Sequence, residues 1–161
     1  MDTEAPDLIE EICELCFNVS LESRGLHWQL LDDLTILFLN KGYSVERECP
    51  VSHFRYNDIW GMPLRASGYI DLFAHKGCLR VAIEFDTLNA LRRISIEKLL
   101  ASGADIAIGI AGAKCSSPVL HKHIFSVRRA REYSKGSGQR LWIILLGKKS
   151  AEEIKLSTSH W

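Results

Sequence analysis

The sequence has no apolar run approaching the ~18 residues that a membrane-spanning helix needs, since Arg140 and Lys148 bracket the longest candidate. It also lacks an opening basic patch followed by a short apolar stretch, the pattern of a secretory signal. A cytoplasmic protein without membrane insertion is the expectation. Charge of one sign is missing too: 20 Lys and Arg balance 20 Asp and Glu, so composition does not announce a nucleic-acid binder through basic excess. Cysteine is sparse, odd in number and scattered (Cys13, Cys16, Cys49, Cys78 and Cys115), which speaks for reduced thiols mostly in the core rather than a disulfide framework. Repeats and low-complexity tracts are absent. So are a glycine-rich phosphate loop, a nucleophile elbow and an HExxH helix, which removes the commonest nucleotide-binding and hydrolase signatures.

What remains is the composition of one ordinary globular domain, 161 residues with 47% hydrophobic and 25% charged content. A chain of that length buries roughly 70% of its unfolded surface, enough for a core without disulfides or structural metal. Acids crowd the start (Asp2, Glu4, Asp7, Glu10, Glu11, Glu14), while Arg128, Arg129, Arg131, Lys135 and Arg140 form a late basic stretch. That stretch is either a phosphate-facing side or a solvated helix face.

Hydrophobic spacing divides the chain into alternating elements of an α/β fold with a mixed central sheet flanked by helices. A lead-in helix is predicted from about Asp7 to Val19, within residues 1–22, and a second helix from His27 to Lys41, closed by Gly42. A strand follows from Tyr43 to Val51, then a long loop from His53 to Ala66. Gly68 to His75 and Cys78 to Asp86 read as a hairpin turning at Lys76-Gly77. A helix from Leu91 to Ser102, a buried strand from Ala104 to Ala111, a helix from His121 to Ser134 and a strand from Leu141 to Leu146 complete the order. One domain is expected, with a core at 27–112 and a C-terminal extension at 113–161.

The hairpin carries the chemistry. Asp71 lies on its first strand, and Glu84 and Asp86 on its second, all within apolar sequence. A buried carboxylate is costly unless paired, hydrogen-bonded or bound to metal, and several acids at one sheet edge repel each other unless a cation sits between them. Mg²⁺, or Mn²⁺, suits such oxygen ligands.

At these residues the chain resembles the PD-(D/E)xK nuclease superfamily, whose restriction-endonuclease-like αβββαβ core follows the order seen from His27 to Gly112. The resemblance covers about half the chain. It implies that Asp71 is the metal-binding acid of the first hairpin strand and that Glu84-Phe85-Asp86 stands for the (D/E)xK tripeptide. The sequence departs from that pattern at Asp86, which occupies the lysine's position. Some members supply the lysine from the following helix, and here that is Lys98, with Arg92 and Arg93 as other nearby cations. Asp32 or Asp33 on the first core helix matches an additional acid of many members, so Asp32 is a further candidate for the metal. The implied activity is Mg²⁺-dependent phosphodiester hydrolysis, with Asp71, Glu84, Asp86 and Lys98 as catalytic candidates and DNA as substrate. Arg55, Tyr56, Arg65 and Arg92 are candidates for nucleic-acid contact, because arginines suit phosphates and aromatics suit bases. The alternative is a nuclease-fold binding or assembly module without cleavage, in a homodimer or a larger complex. Elsewhere, Cys13-x-x-Cys16 reads as two core thiols and His121 and His123 as surface imidazoles.

Overall fold

Six strands lie side by side in chain order in a single mixed sheet, with helices on both faces. The computed structural model describes residues 4–22, 24–56, 63–87, 91–112 and 138–154. The elements are α1 (Glu4–Phe17), α2 (Leu26–Asn40), β1 (Ser44–Tyr56), β2 (Pro63–Lys76), β3 (Leu79–Asp86), α3 (Arg93–Ala101), β4 (Ile106–Ala111), β5 (Arg140–Leu145) and β6 (Ser150–Ile154). β1, β2 and β3 pair antiparallel, β4 joins β3 and β5 in parallel, and β6 closes the far edge antiparallel. The expected mixed α/β architecture is therefore present.

Each helix forms because its apolar positions share one face. Leu8, Ile9, Ile12 and Cys16 of α1, with Leu30, Leu31, Leu34 and Phe38 of α2, pack on Leu72, Val81, Ile83, Ile108 and Ile144 of the sheet. Each of those fully buried aliphatics stabilises the fold by ~1.5–3 kcal/mol. α2 stops where Gly42 takes φ 82°. There the amide of Tyr43 donates to the Phe38 carbonyl and that of Gly42 to the Leu39 carbonyl, a Schellman closure that favours glycine. On the opposite face, α3 sets Ile96, Leu99 and Leu100 against Ala82, Ala107, Leu141 and Ile143. As the connection between the parallel strands β3 and β4, α3 is a crossover helix, and β4 is buried along its whole length.

Two expectations need correction. The loop expected from His53 to Ala66 is strand at both ends: β1 runs on to Tyr56, β2 begins at Pro63, and the two pair from Ser44↔His75 to Tyr56↔Pro63, while residues 57–62 lie outside the described residues. Arg55, Arg65 and the flanking Gly61 and Pro63 suggest a loop there, yet the ladder continues through backbone pairing. The sixth strand, Ser150–Ile154, was not expected at all. It is an edge strand with charged Glu152 and Glu153, the sort of sequence that blunts an edge against aggregation and hides its period-two signal. The hairpin turn falls one residue later than expected, at Gly77-Cys78 with Gly77 at φ 59°. Cys78 is consequently exposed rather than in the core, whereas Cys16 is buried and Cys13 and Cys49 are half-buried. The helix expected at His121–Ser134, most of the basic stretch and Cys115 lie outside the described residues. No helix among the described residues is long and apolar enough to cross a membrane.

The strands that carry the site do not keep a constant face. Leu72 belongs to the α2-side core and Ile70 to the α3-side core, although residues two apart in a regular strand share a face. β1 changes face in step: Arg47 reaches α2, whereas Cys49 packs on the α3 side. Between them lie Glu48, at φ 53°, and Asp71. This pair is skipped in a register that runs Arg47↔Leu72 and then Cys49↔Ile70. Strand pairing between β2 and β3 ends at Leu72↔Ile83, one residue short of the acids.

Candidate functional site

Where that ladder ends, side chains take over from backbone. The Phe85 amide donates to Asp71 Oδ2 at 2.8 Å, and the Asp71 amide donates to Glu84 Oε1 at 3.1 Å. The two carboxylates thus clasp the splayed ends of β2 and β3, as neighbours at one point of the sheet. Glu84 is 1% exposed. Burial first, and the charge of Asp71 second, push its carboxyl up from 4.5 to about 7, against the restraint of Lys98.

Lys98 reaches the site from α3 and is 8% exposed. Its ammonium donates to Glu84 Oε1 at 2.9 Å and to the Tyr69 carbonyl at 2.7 Å. The lysine does not snorkel to water. Ser95, one turn earlier on the same face, is fully buried. Gly109 pairs with Glu84 in the register of β3 and β4, and a Cβ there would meet Leu91 Cδ1 at 2.5 Å. The missing side chain lets Leu91, which leads into α3, pack down on the sheet.

Asp86 shares the buried interior, at 5% exposure, but it is occupied by its own partner. The Arg92 amide donates to Asp86 Oδ2 at 2.7 Å and the Arg92 Nε to Oδ1 at 2.8 Å. Asp86 therefore fixes the entry to α3, and so the helix that delivers Lys98, while the Arg92 side chain is 65% exposed. Asp32 is not brought to the acids by any contact. It is a 68% exposed side chain whose Oδ1 accepts from Arg47 Nη1 at 2.9 Å. At 100° per residue it lies 140° around α2 from the residue that does face Asp71.

That residue is His27, which in the sequence marks only the start of a helix. Its Nε2 is 3.6 Å from Asp71 Oδ2, and its ring stacks on Phe85 at 5.5 Å between centroids with 10° between planes. Phe85 therefore serves twice, its amide holding Asp71 and its ring holding His27. The sequence contains both residues, but the rotation of α2 against the hairpin is set by tertiary packing. Of the residues expected to contact nucleic acid, Arg65 is exposed and donates from Nε to Ser52 Oγ at 3.0 Å. It lies six residues along β2 from Asp71, roughly 20 Å at strand rise. The side chains of Arg55 and Tyr56 lie outside the described residues.

Two carboxylates with a flanking imidazole can hold a hard divalent cation, while the Lys98 ammonium beside them is a hydrogen-bond donor and not a ligand. Mg²⁺ is commonly bound through one or two carboxylates while keeping several waters. The raised carboxyl of Glu84 fits such a group, because a cation would favour its charged form. Among the described residues, no group of three or more His, Cys, Asp or Glu side chains is gathered as a metal cage. Cys13 and Cys16 stand apart from this site, in the core under α1, where burial pushes the Cys16 thiol up to about 12. No protein-family model matches the chain, and the search of curated proteins returned no match.

Proposed function

We propose that the chain is a metal-dependent nuclease of PD-(D/E)xK type that hydrolyses phosphodiester bonds, with DNA as substrate. The observation that carries this reading is the convergence of Lys98 on Glu84 at 2.9 Å beside Asp71. The tripeptide Glu84-Phe85-Asp86 lacks its lysine, and the helix after the hairpin delivers an ammonium to the same carboxylate. Asp71 and Glu84 would hold Mg²⁺ or Mn²⁺ through carboxylate oxygens, with the His27 imidazole alongside Asp71. When bound, that cation supplies Lewis-acid activation of water and neutralises charge on the phosphate.

The chain's own groups have separate tasks. Lys98 lies where an ammonium would offset charge growing on the phosphate oxygens in the transition state. Asp86 and Arg92 position Lys98 through the start of α3. Phe85 keeps Asp71 and His27 in place.

A second reading, a nuclease-fold binding module without cleavage, is favoured by Asp86, because the usual lysine position holds an acid already bound by Arg92. One experiment separates the two. Supercoiled plasmid and single-stranded DNA are incubated with the protein and Mg²⁺ or Mn²⁺, beside Asp71→Asn, Glu84→Gln and Lys98→Ala. Metal-dependent cleavage that is lost in the first two variants supports the enzyme. A folded wild type that binds DNA in the presence of metal but never cuts it supports the module.

A further inference from the structure

Trp28 follows His27 in the first turn of α2 and is 58% exposed. It is wet but held. Its indole meets the His27 ring edge-on, with 5.2 Å between centroids and 89° between planes. The guanidinium carbon of Arg47 lies over the indole at 5.9 Å from its centroid. Arg47 is itself fixed to α2 through Asp32 Oδ1 at 2.9 Å and Thr35 Oγ1 at 3.4 Å. His27 in turn is stacked on Phe85 and faces Asp71. A large aromatic surface is thus presented to solvent one residue from the imidazole that borders the acids, with its orientation fixed from two sides.

We propose that Trp28 is a stacking platform for an unpaired nucleobase next to the phosphodiester that a cation at Asp71 and Glu84 would hold, so that the site selects single-stranded or locally unpaired DNA. This rests on the nuclease reading of the site. Arg47 covers one face of the indole, and its charge is balanced by Asp32, so the exposed surface offers π-stacking more than phosphate attraction. Stacking is tolerant of base identity and is a main source of affinity for single strands. A base within a continuous duplex is already stacked on both sides and must first be unstacked. The salt dependence should follow the same logic, because only phosphate contacts release counterions.

The test uses the full chain in EDTA, where no cleavage occurs, with fluorescently labelled oligothymidylate and a duplex of equal length. Binding is measured for the wild type, Trp28→Ala and Trp28→Phe at two salt concentrations. Trp28→Ala is expected to lower the ratio of single-strand to duplex affinity by about tenfold or more. The loss should be equal at both salt concentrations, and Trp28→Phe should recover most of it. A folded Trp28→Ala variant with an unchanged ratio overturns the proposal, as does a loss that disappears at high salt. A folded wild type that binds neither DNA in EDTA and cuts neither in Mn²⁺ removes the nuclease reading itself. A wild type that cuts in Mn²⁺ with an unchanged Trp28→Ala ratio leaves that reading standing and removes only this inference.

Discussion

Asp71 and Glu84 each bind the backbone of the other's strand: the Asp71 carboxylate takes the Phe85 amide, and the Glu84 carboxylate takes the Asp71 amide. The acids therefore hold the hairpin open at its end as well as facing the site. Alanine at either position conflates two losses, since an orphaned buried amide costs ~1–3 kcal/mol. Asp71→Asn keeps an acceptor oxygen and should stay within about 1 kcal/mol of wild-type stability, whereas Asp71→Ala should lose about 1–3 kcal/mol. Denaturant unfolding with and without Mn²⁺ separates the roles. A hundredfold excess of metal over its Kd should stabilise the wild type by about 2.7 kcal/mol and the asparagine variant by far less.

The carboxyl of Glu84 predicts an unusual pH profile. Its value rises on folding from 4.5 to about 7, so the folded protein holds this proton more tightly than the unfolded chain does. Stability from this group is complete below about pH 4.5 and is lost as pH rises through 7, by on the order of 3 kcal/mol. Melting temperatures from pH 5 to pH 8 should fall in the wild type without metal, and the slope should flatten in Glu84→Gln. A divalent cation should flatten it as well, because the bound form prefers the charged carboxylate. A flat metal-free wild-type profile across that window would sink the assignment.

Lys98 and Glu84 form a buried ion pair with side-chain exposures of 11% and 1%, and such pairs are poor guides to net stability. Removing the ammonium alone leaves a buried carboxylate without its cation. Lys98→Met should therefore cost about 3–5 kcal/mol at pH 8 and much less at pH 5, where Glu84 carries a proton. Lys98→Met combined with Glu84→Gln should recover most of that stability while remaining inactive. Equal losses for Lys98→Met at both pH values would show that its packing, and not its charge, is what matters.

Which parts of this site the sequence disclosed follows from the range of the interactions. The acids on the hairpin and the helix carrying Lys98 were legible because period-two and period-3.6 patterns are local. Lys98 sits at an apolar angle of its helix, so its inward direction was visible, though not its partners. The identity of the α2 residue beside Asp71 was not visible. Choosing His27 over Asp32 needs the rotation of a helix against a sheet, which Phe85, Leu30 and Leu34 settle by packing. The extension of the β1–β2 pairing past Val51 was hidden for another reason: it rests on backbone pairing, while Gly61, Pro63 and the charged Arg55 and Arg65 give the sequence the look of a loop.

Glu48 was equally invisible, because an ordinary glutamate gives no sign that its backbone is left-handed. Its φ of 53° is unfavourable for a residue with a Cβ, by roughly 1–2 kcal/mol, and it stands across from Asp71 where both strands change face. Such strain often persists where it positions a functional group. Glu48→Val, β-branched and least tolerant of this conformation, should lose at least a further ~1 kcal/mol. Glu48→Gly accepts it freely and should match or exceed wild-type stability. If the strain serves to place Asp71, the glycine variant should bind Mn²⁺ more weakly by calorimetry in spite of its stability, since a relaxed turnover point lets the carboxylate wander. If glycine and wild type bind alike, the left-handed turn only redirects the strands, and the position of Asp71 is set by the Phe85 amide alone.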